Sequence, residues 1–326
     1  MKKVLLIIAS VIVAIILGLV AFFNITFPKV SNAPDIKVDM SEANIKRGEY
    51  LANHVAVCID CHSTRDWSKL SAPLMEGTLG KGGEKFTEEM GLPGNYYAPN
   101  ITPYKLKDWT DGEIFRAITA GVSKDGRALF PIMPYPNYAQ MSKEDIYSII
   151  AYIRTLEPVE NEVPVSQSSF PMNIIIKTIP KDAELQSIPA KSDRIAYGKY
   201  VFTAGGCSDC HSPAEKGKPI PGKELAGGKE FIIPSGIIRT ANITPDEATG
   251  IGAWSKEEFI MRFKEYDPTV SSAISVEKGH FNTIMPWTMY AGMTEEDLGA
   301  IFDYLMTAKA ISNKVLVFTP KVANKK

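Results

Sequence analysis

A five-residue stretch that occurs twice sets the strongest limit on how this chain can fold. It reads Cys58-Ile59-Asp60-Cys61-His62 and again Cys207-Ser208-Asp209-Cys210-His211. The pattern C-x-x-C-H is the attachment signature of c-type haem. Each thiol adds across one vinyl group, and the adjoining histidine gives an imidazole nitrogen to one axial face of the iron. Three bonds converging on one macrocycle need that tight spacing, and a chain so tied must fold around its prosthetic group. The four cysteines of the motifs are the only ones in the chain, so no thiol is left for another role. Two other chemistries use such pairs. A redox dithiol of the thioredoxin kind needs a βαβ setting, which is absent, and four thiolates around one zinc would not require a histidine after each second cysteine. The motifs therefore point to two covalently bound haem c groups on Cys58, Cys61, Cys207 and Cys210, with His62 and His211 as axial ligands.

The chain has 326 residues, which suits two domains better than one. Its formal charge of −1 gives no electrostatic case for nucleic acid as a partner. Val4 to Phe23 is almost wholly apolar and uncharged, and twenty helical residues span roughly 30 Å, the thickness of a bilayer's hydrocarbon core. Lys2 and Lys3 precede it, so the positive-inside rule keeps that end in the cytoplasm and sends the rest out. A cleaved signal peptide would have a shorter apolar core and a clear small-residue cleavage site. The expectation is a single-pass anchor in a bacterial cytoplasmic membrane with the haem domains on the periplasmic side.

The second half repeats the first. Arg47-Gly48-Glu49-Tyr50-Leu51 answers to Tyr197-Gly198-Lys199-Tyr200-Val201. Asn100-Ile101-Thr102-Pro103 answers to Asn242-Ile243-Thr244-Pro245, Trp109 to Trp254, and Pro131-Ile132-Met133-Pro134 to Thr283-Ile284-Met285-Pro286. So many matches in one order, at so long a period, imply two copies of one domain rather than a solenoid. The expected division is an anchor at 1–24, a tether at 25–40, domain one at 41–160, a connector at 161–190, domain two at 191–312 and a tail at 313–326. Four prolines keep the connector from being one helix, and Phe170 to Ile179 is expected to pack between the domains.

Each copy has two strong helix patterns. Ser41 is the expected N-cap of the helix entering the first motif. In the closing helices Ser142 and Thr294 are expected N-caps, with Asp145 and Asp297 at N3 and Met141 and Met293 as staples. Gly48 and Gly198 should let the first helix cross the last one closely, opposite Tyr152 and Tyr304. Loops rich in Gly and Pro lie between, so the expected fold class is all-α.

Haem iron in a c-type cytochrome commonly takes methionine as its second axial ligand. Among twelve methionines, Met133 and Met285 hold matching places, each followed by a proline that biases it toward an extended strap. These two are the expected ligands. His54 reads as an exposed helical residue, and His280, five residues before Met285, as a possible rival for the second iron. Pro73 and Pro221 lie in loops that could offer a carbonyl to the ligating histidines, and Arg127 and Lys229 are candidate propionate partners.

Taken together, these motifs resemble the membrane-bound cytochrome c subunits that accompany periplasmic alcohol, aldehyde and gluconate dehydrogenases. The resemblance covers roughly residues 41 to 312 and is especially close from Ala226-Gly227-Gly228 through Gly250-Ile251-Gly252-Ala253-Trp254. Those subunits usually carry three haem domains where this chain has two, and the first copy lacks the Gly-Ile-Gly element before Trp109. The resemblance implies tandem class I cytochrome c domains and electron transfer. The donor would be a dehydrogenase or quinol-oxidising complex, and the acceptor an oxidase or soluble cytochrome. No catalytic residue is expected. The alternatives sharing C-x-x-C-H are a dihaem peroxidase or thiosulfate-oxidising cytochrome, and a haem-based gas sensor.

Overall fold

The computed structural model describes residues 2–215, 217–271, 274–277 and 279–321. Met1 of the expected anchor and 322–326 of the expected tail lie outside them. The chain opens with α1 (Lys2–Thr26), an apolar helix whose stretch Lys2–Phe23 is not buried in the folded body and is long enough to cross a bilayer.

In the first copy α2 (Glu42–Tyr50) continues through a wide turn at Leu51–Val55 into α3 (Cys58–Cys61), which holds the first haem motif. There follow β1 (Lys85–Phe86), β2 (Gly94–Tyr97), α4 (Pro103–Leu106), α5 (Asp111–Ala120), α6 (Tyr135–Tyr138) and α7 (Lys143–Thr155). The connector supplies β3 (Gln167–Ser168) and α8 (Met172–Ile175). The second copy runs through α9 (Arg194–Ala204), α10 (Cys207–His211), β4 (Ala214–Glu215), β5 (Lys218–Pro219), β6 (Glu230–Ile233) and β7 (Gly236–Arg239). It closes with α11 (Lys256–Lys264), α12 (Pro268–Ser271), α13 (Trp287–Tyr290), α14 (Glu295–Leu305) and β8 (Phe318–Pro320).

The helices start where side chains can satisfy orphan amides. Thr110 and Glu113 form a reciprocal capping box on α5, and Ser255 and Glu258 do so on α11. Ser142 and Thr294 cap α7 and α14 as their sequences suggest, accepting from Asp145 N and Asp297 N. Ser41 stands at the N-cap of α2, but its hydroxyl turns back to Asp39 instead of capping.

Within each copy the first helix crosses the last at a glycine. A Cβ placed on Gly48 would lie 1.8 Å from Ser148 O, and one on Gly198 would lie 1.9 Å from Ala300 O. The Cβ atoms of Tyr152 and Tyr304 close the same crossings. Around them Leu51, Ile146, Ile149 and Ile150 in one copy, and Tyr197, Leu298 and Leu305 in the other, are fully buried.

The chain is not all-α. The described residues are 40% helical with 9% strand, in three small sheets. β1, β2 and β3 form one antiparallel sheet and β6, β7 and β8 another. In each, the third strand comes from the segment that follows the copy's last helix. Gly94 and Gly236 admit it, since a Cβ there would meet Gln167 O at 2.3 Å and Thr319 O at 2.1 Å. The physical cause is the need to pair backbone groups in long loops around a large cavity. Strands of two to four residues are too short to show a period of two in the sequence.

The two copies bind each other through a reciprocal exchange. Tyr50 donates to Asp297 Oδ2 at 2.5 Å and accepts from Thr294 N at 3.1 Å. Tyr200 donates to Asp145 Oδ2 at 2.6 Å and accepts from Ser142 N at 3.1 Å. Each copy's first helix thereby helps cap the other copy's last helix. The stretch from Phe170 to Ile179 does not pack between the copies: Phe170 is 79% exposed, and Ile174 and Ile175 also face outward. Asp182 just beyond it takes two hydrogen bonds from Ser31 of the tether, at 2.7 and 2.9 Å, so the connector is pinned beside the anchor's exit instead.

The crossing gives a direct prediction. Gly198→Ala puts a methyl against a backbone carbonyl, which cannot step aside as a flexible side chain can. Urea unfolding should show a loss of about 2–3 kcal/mol, in the upper range of overpacking costs. A loss below about 0.5 kcal/mol, the level of an ordinary surface change, would mean that the crossing is loose.

Candidate functional site

The entering helices α2 and α9 deliver the two haem motifs to facing positions. Val57 and Gly206, each just before the first cysteine, take left-handed backbone angles (φ 44° and 63°) that turn the chain into α3 and α10. The four cysteines are unpaired. Burial pushes the thiols of Cys58, Cys61 and Cys207 up to about 12 and raises that of Cys210. They are therefore protonated at neutral pH, unlike the low-pKa thiolate of a redox dithiol. Among the described residues, no group of three or more His, Cys, Asp or Glu side chains converges as a metal cluster would.

Each motif histidine is held by one carbonyl. His62 Nδ1 lies 2.7 Å from Pro99 O, and His211 Nδ1 lies 2.8 Å from Ala241 O. A carbonyl can only accept, so Nδ1 carries the proton and Nε2 keeps its lone pair for a metal. Burial lowers the pKa of both rings, with the carbonyl bond acting the other way, so both are neutral at pH 7. The sequence pointed to the Pro73 and Pro221 loops as the source of these carbonyls. They come instead from the residues immediately before the repeated Asn-Ile-Thr-Pro.

That repeat now has a physical role. Asn100 Oδ1 accepts from Thr102 N and Thr102 Oγ1 at 2.9 and 2.8 Å, and its Nδ2 donates to Val159 O at 2.8 Å. Asn242 does the same with Thr244 and with Ile311 O.

 In detail, Thr244 N donates to Asn242 Oδ1 at 2.9 Å, Thr244 Oγ1 donates to it at 2.7 Å, and Asn242 Nδ2 donates to Ile311 O at 2.7 Å. The asparagine thus fixes the turn whose first carbonyl orients the histidine and ties it to the strap behind the last helix. From the other side, Gly82 N and Gly227 N bond His62 O and His211 O at 2.8 Å each. Gly82 has φ +72°, and a Cβ there would meet Asn100 N at 2.5 Å, so only glycine lets the two strands of this cradle close.

The methionine straps match. Tyr135 N bonds Met133 O at 2.7 Å, and Trp287 N bonds Met285 O at 2.8 Å, so each Met-Pro pair makes the same tight turn. Cys58, Cys61, His62 and Met133 line one continuous cavity of about 2940 Å³, which also reaches Cys210 and Tyr290. That is several times a usual ligand pocket of roughly 300–1,000 Å³. A cavity of this size, thiols ready to form thioethers and histidines with a free Nε2 fit covalently bound haem. Ile284 and Pro286, on either side of Met285, lie on the same wall.

The two motifs meet at the junction of the copies. Tyr138 donates to Ala56 O at 2.8 Å, and its counterpart Tyr290 donates to Gly205 O at 2.7 Å. Burial raises both phenols far above their ordinary range, and each also lies in the field of charges belonging to the other copy's motif. Asn137 donates across the junction to Asp209 Oδ2 at 2.7 Å.

Several other residues sit differently from their sequence reading. His54 is not an exposed helical residue: its Nδ1 lies 2.9 Å from Met289 O at the junction, and a Cβ on Gly292 would strike its ring. His280 is exposed, on the cavity's rim. Arg127 lines the cavity, whereas Lys229 donates to Asp209 O at 2.6 Å. Arg65 carried no sequence signal. It is buried beside the first motif, bonded to Asp60 and Glu84 at 2.9 and 2.6 Å and stacked on Trp67. Burial pushes Asp60 up to about 6, against the pull of Arg65.

The comparisons with known proteins agree with this site. The family model of cytochrome c matches residues 195–309. This segment is a cytochrome c domain. Such a domain binds haem c covalently and serves electron transfer. The alcohol dehydrogenase (quinone) cytochrome c subunit of Gluconacetobacter polyoxogenes is 28% identical over 306 residues, which cover 88% of this chain and 61% of that one. The gluconate 2-dehydrogenase cytochrome c subunit of Pantoea cypripedii is 28% identical over 302 residues, covering 86% and 63%. A diheme cytochrome c-type protein of Cereibacter sphaeroides is 28% identical over 198 residues, covering 58% and 63%. The chain thus spans about three fifths of the length of these curated relatives.

The asparagine cradle can be tested alone. Asn100→Ala and Asn242→Ala each strip a buried turn of its partners, and each should cost about 2–3 kcal/mol in guanidinium unfolding. Wild-type stability in both would show that the repeated motif does not hold the turn.

Proposed function

We propose that the chain is a membrane-anchored carrier of electrons with two covalently bound haem c groups. The observation that carries this reading is the pair of C-x-x-C-H motifs, each with a carbonyl-held histidine, meeting at the junction of two like copies. Cys58 and Cys61 would hold the first haem and Cys207 and Cys210 the second. His62 and Met133 would be the axial ligands of one iron, His211 and Met285 those of the other. Bound haem supplies a one-electron ferric/ferrous couple.

The protein's own residues determine how that couple is used. Pro99 O and Ala241 O fix the imidazole tautomers and raise their basicity. As ligands, the neutral thioethers of Met133 and Met285 would favour the reduced state and leave no open iron for substrate. Tyr138 and Tyr290 each tie the helix after their own copy's strap to the backbone that enters that copy's motif. A geometry that does not need to change between oxidation states suits rapid transfer through the copies.

The donor in this reading is a periplasmic dehydrogenase or quinol-oxidising complex, and the acceptor an oxidase or soluble cytochrome. The names of the relatives support the dehydrogenase side. The uncleaved α1 would place the domains on the periplasmic face of the cytoplasmic membrane. The exposed Phe170, Ile174 and Ile175, pinned beside the anchor's exit, suit a surface resting on lipid.

Haem count is the first test. After acid-acetone treatment the polypeptide should keep its colour, and its mass should exceed that of the bare chain by two haems. A gain of one haem, or free extraction of the pigment, would sink the two-site reading. Ligand identity is the second. Met133→His should lower the potential of one haem and leave the other nearly unchanged, and Met285→His should do the reverse, because imidazole stabilises ferric iron more than a thioether does. Potentials that do not move in a redox titration would remove these methionines from the irons.

A further inference from the structure

The loop that leaves the first haem motif ends on the strap of the second. Residues 64–75 follow directly after the motif of His62. Leu70 N donates to Ile274 O at 3.0 Å and Val276 N donates to Ser68 O at 2.8 Å, so copy one's loop pairs with copy two's strap around a bridge between Lys69 and Ser275. The buried Asn282 extends this pairing. Its Oδ1 accepts from Ser71 N at 2.9 Å and from Thr283 N at 2.7 Å, while its Nδ2 donates to Trp67 O and Lys69 O at 3.2 and 2.9 Å. Finally, Ser71 Oγ donates to Met285 O at 3.0 Å and accepts from Trp287 N at 3.1 Å. One hydroxyl therefore brackets the Met285-Pro286 turn.

Ser71 is built for this place. It is 2% exposed, with Ala72 beside it wholly buried. Both hold left-handed backbone angles, φ 61° and 44°, which a side chain adopts only when its surroundings enforce them. Copy one's strap shares the internal turn, Tyr135 N to Met133 O, and adds a bond from Met133 N to Phe130 O of the same copy.

We propose that Ser71 is a positioning residue for the second haem site: its hydroxyl, supplied by copy one, holds copy two's strap closed so that Met285 stays on the iron. The inference rests on the reading of Met285 as an axial ligand. It makes the second site dependent on a loop rooted at the first site's histidine, while among the described residues no loop of copy two bonds the Met133-Pro134 turn. Without the hydroxyl, the Met285 carbonyl and the Trp287 amide would each lose a partner in a buried turn. The strap would then open more often and expose the sixth position.

Ser71→Gly in the full-length holoprotein tests this. Glycine takes φ 61° without strain, so the loop keeps its path and only the hydroxyl is lost. Carbon monoxide binding to the reduced protein reads the sixth positions, and hydrogen exchange at the Trp287 amide reads the strap without reference to the iron. We expect one of the two haems to bind carbon monoxide about tenfold faster, and the Trp287 amide to exchange faster by a similar factor, as the loss of about one net hydrogen bond implies. The other haem should keep its wild-type rate. Asn282→Ala, which cuts the other half of the clamp, should act in the same direction, and Met285→Ala should set the upper limit. If Met285→Ala opens one haem while Ser71→Gly leaves both rates and the amide unchanged, the clamp is wrong and the ligand reading stands. If Met285→Ala leaves carbon monoxide binding at the wild-type rate, the ligand reading falls and takes the clamp with it.

Discussion

Two buried carboxylates, Asp145 and Asp297, sit in the first turn of the last helix of each copy, and the rest of the assembly is registered against them. An unpaired carboxylate in such a place would be expensive. Each is instead held by the positive end of its helix and by hydrogen bonds from both copies. Asp145 takes a two-pronged bond from Arg47 of its own copy, at 2.9 and 3.0 Å, and one from Tyr200 of the other. Asp297 takes Tyr197 from its own copy at 2.8 Å and Tyr50 from the other. The donors all lie on the entering helices, which run straight into the haem motifs. The same contacts therefore cap the closing helices, seat the glycine crossings and set how closely the motifs approach. A Cβ on Gly205, just before the second motif, would come within 3.6 Å of Val55 O, just before the first.

From that frame the site follows by short covalent steps. Entering helix, motif, glycine and asparagine turn form a closed cradle in each copy, and the carbonyl preceding the asparagine is the part that touches the histidine. A wide cavity runs from the first cradle to Cys210 and Tyr290 of the second copy. The copies are alike in this machinery and unlike in what surrounds it. Arg65 with its two carboxylates and the loop through Ser71 belong to the first copy, and that loop bonds the second. Such differences are how two sites of one design can be set to different potentials.

Much of this was legible in the sequence because repetition made it so. The motifs, the matched Met-Pro straps, the caps at Ser142 and Thr294 and the glycines at the crossings stand at equivalent places, and each has a local physical signature. The repeated Asn-Ile-Thr-Pro was visible, but its role was not, because the bond it supports joins residues far apart in the chain. The all-α expectation failed at strands of a few residues, whose partners lie beyond the last helix of each copy. His54 looked like a surface residue because its neighbours in sequence gave no hint of Met289 and Gly292. Arg65 and Ser71 were silent for the opposite reason to the motifs: they have no counterpart in the second copy, so nothing in the repeat draws attention to them.

The two proposed haem sites would share one junction and would not merely be carried on one chain. Circular dichroism in the Soret region tests it most directly, because neighbouring chromophores mix their transitions and isolated ones do not. The measurement compares the native protein with the sum of two variants, one lacking Cys58 and Cys61 and the other lacking Cys207 and Cys210. Coupled haems should give a native spectrum with a two-signed couplet that the sum does not reproduce. A native spectrum equal to the sum would contradict it.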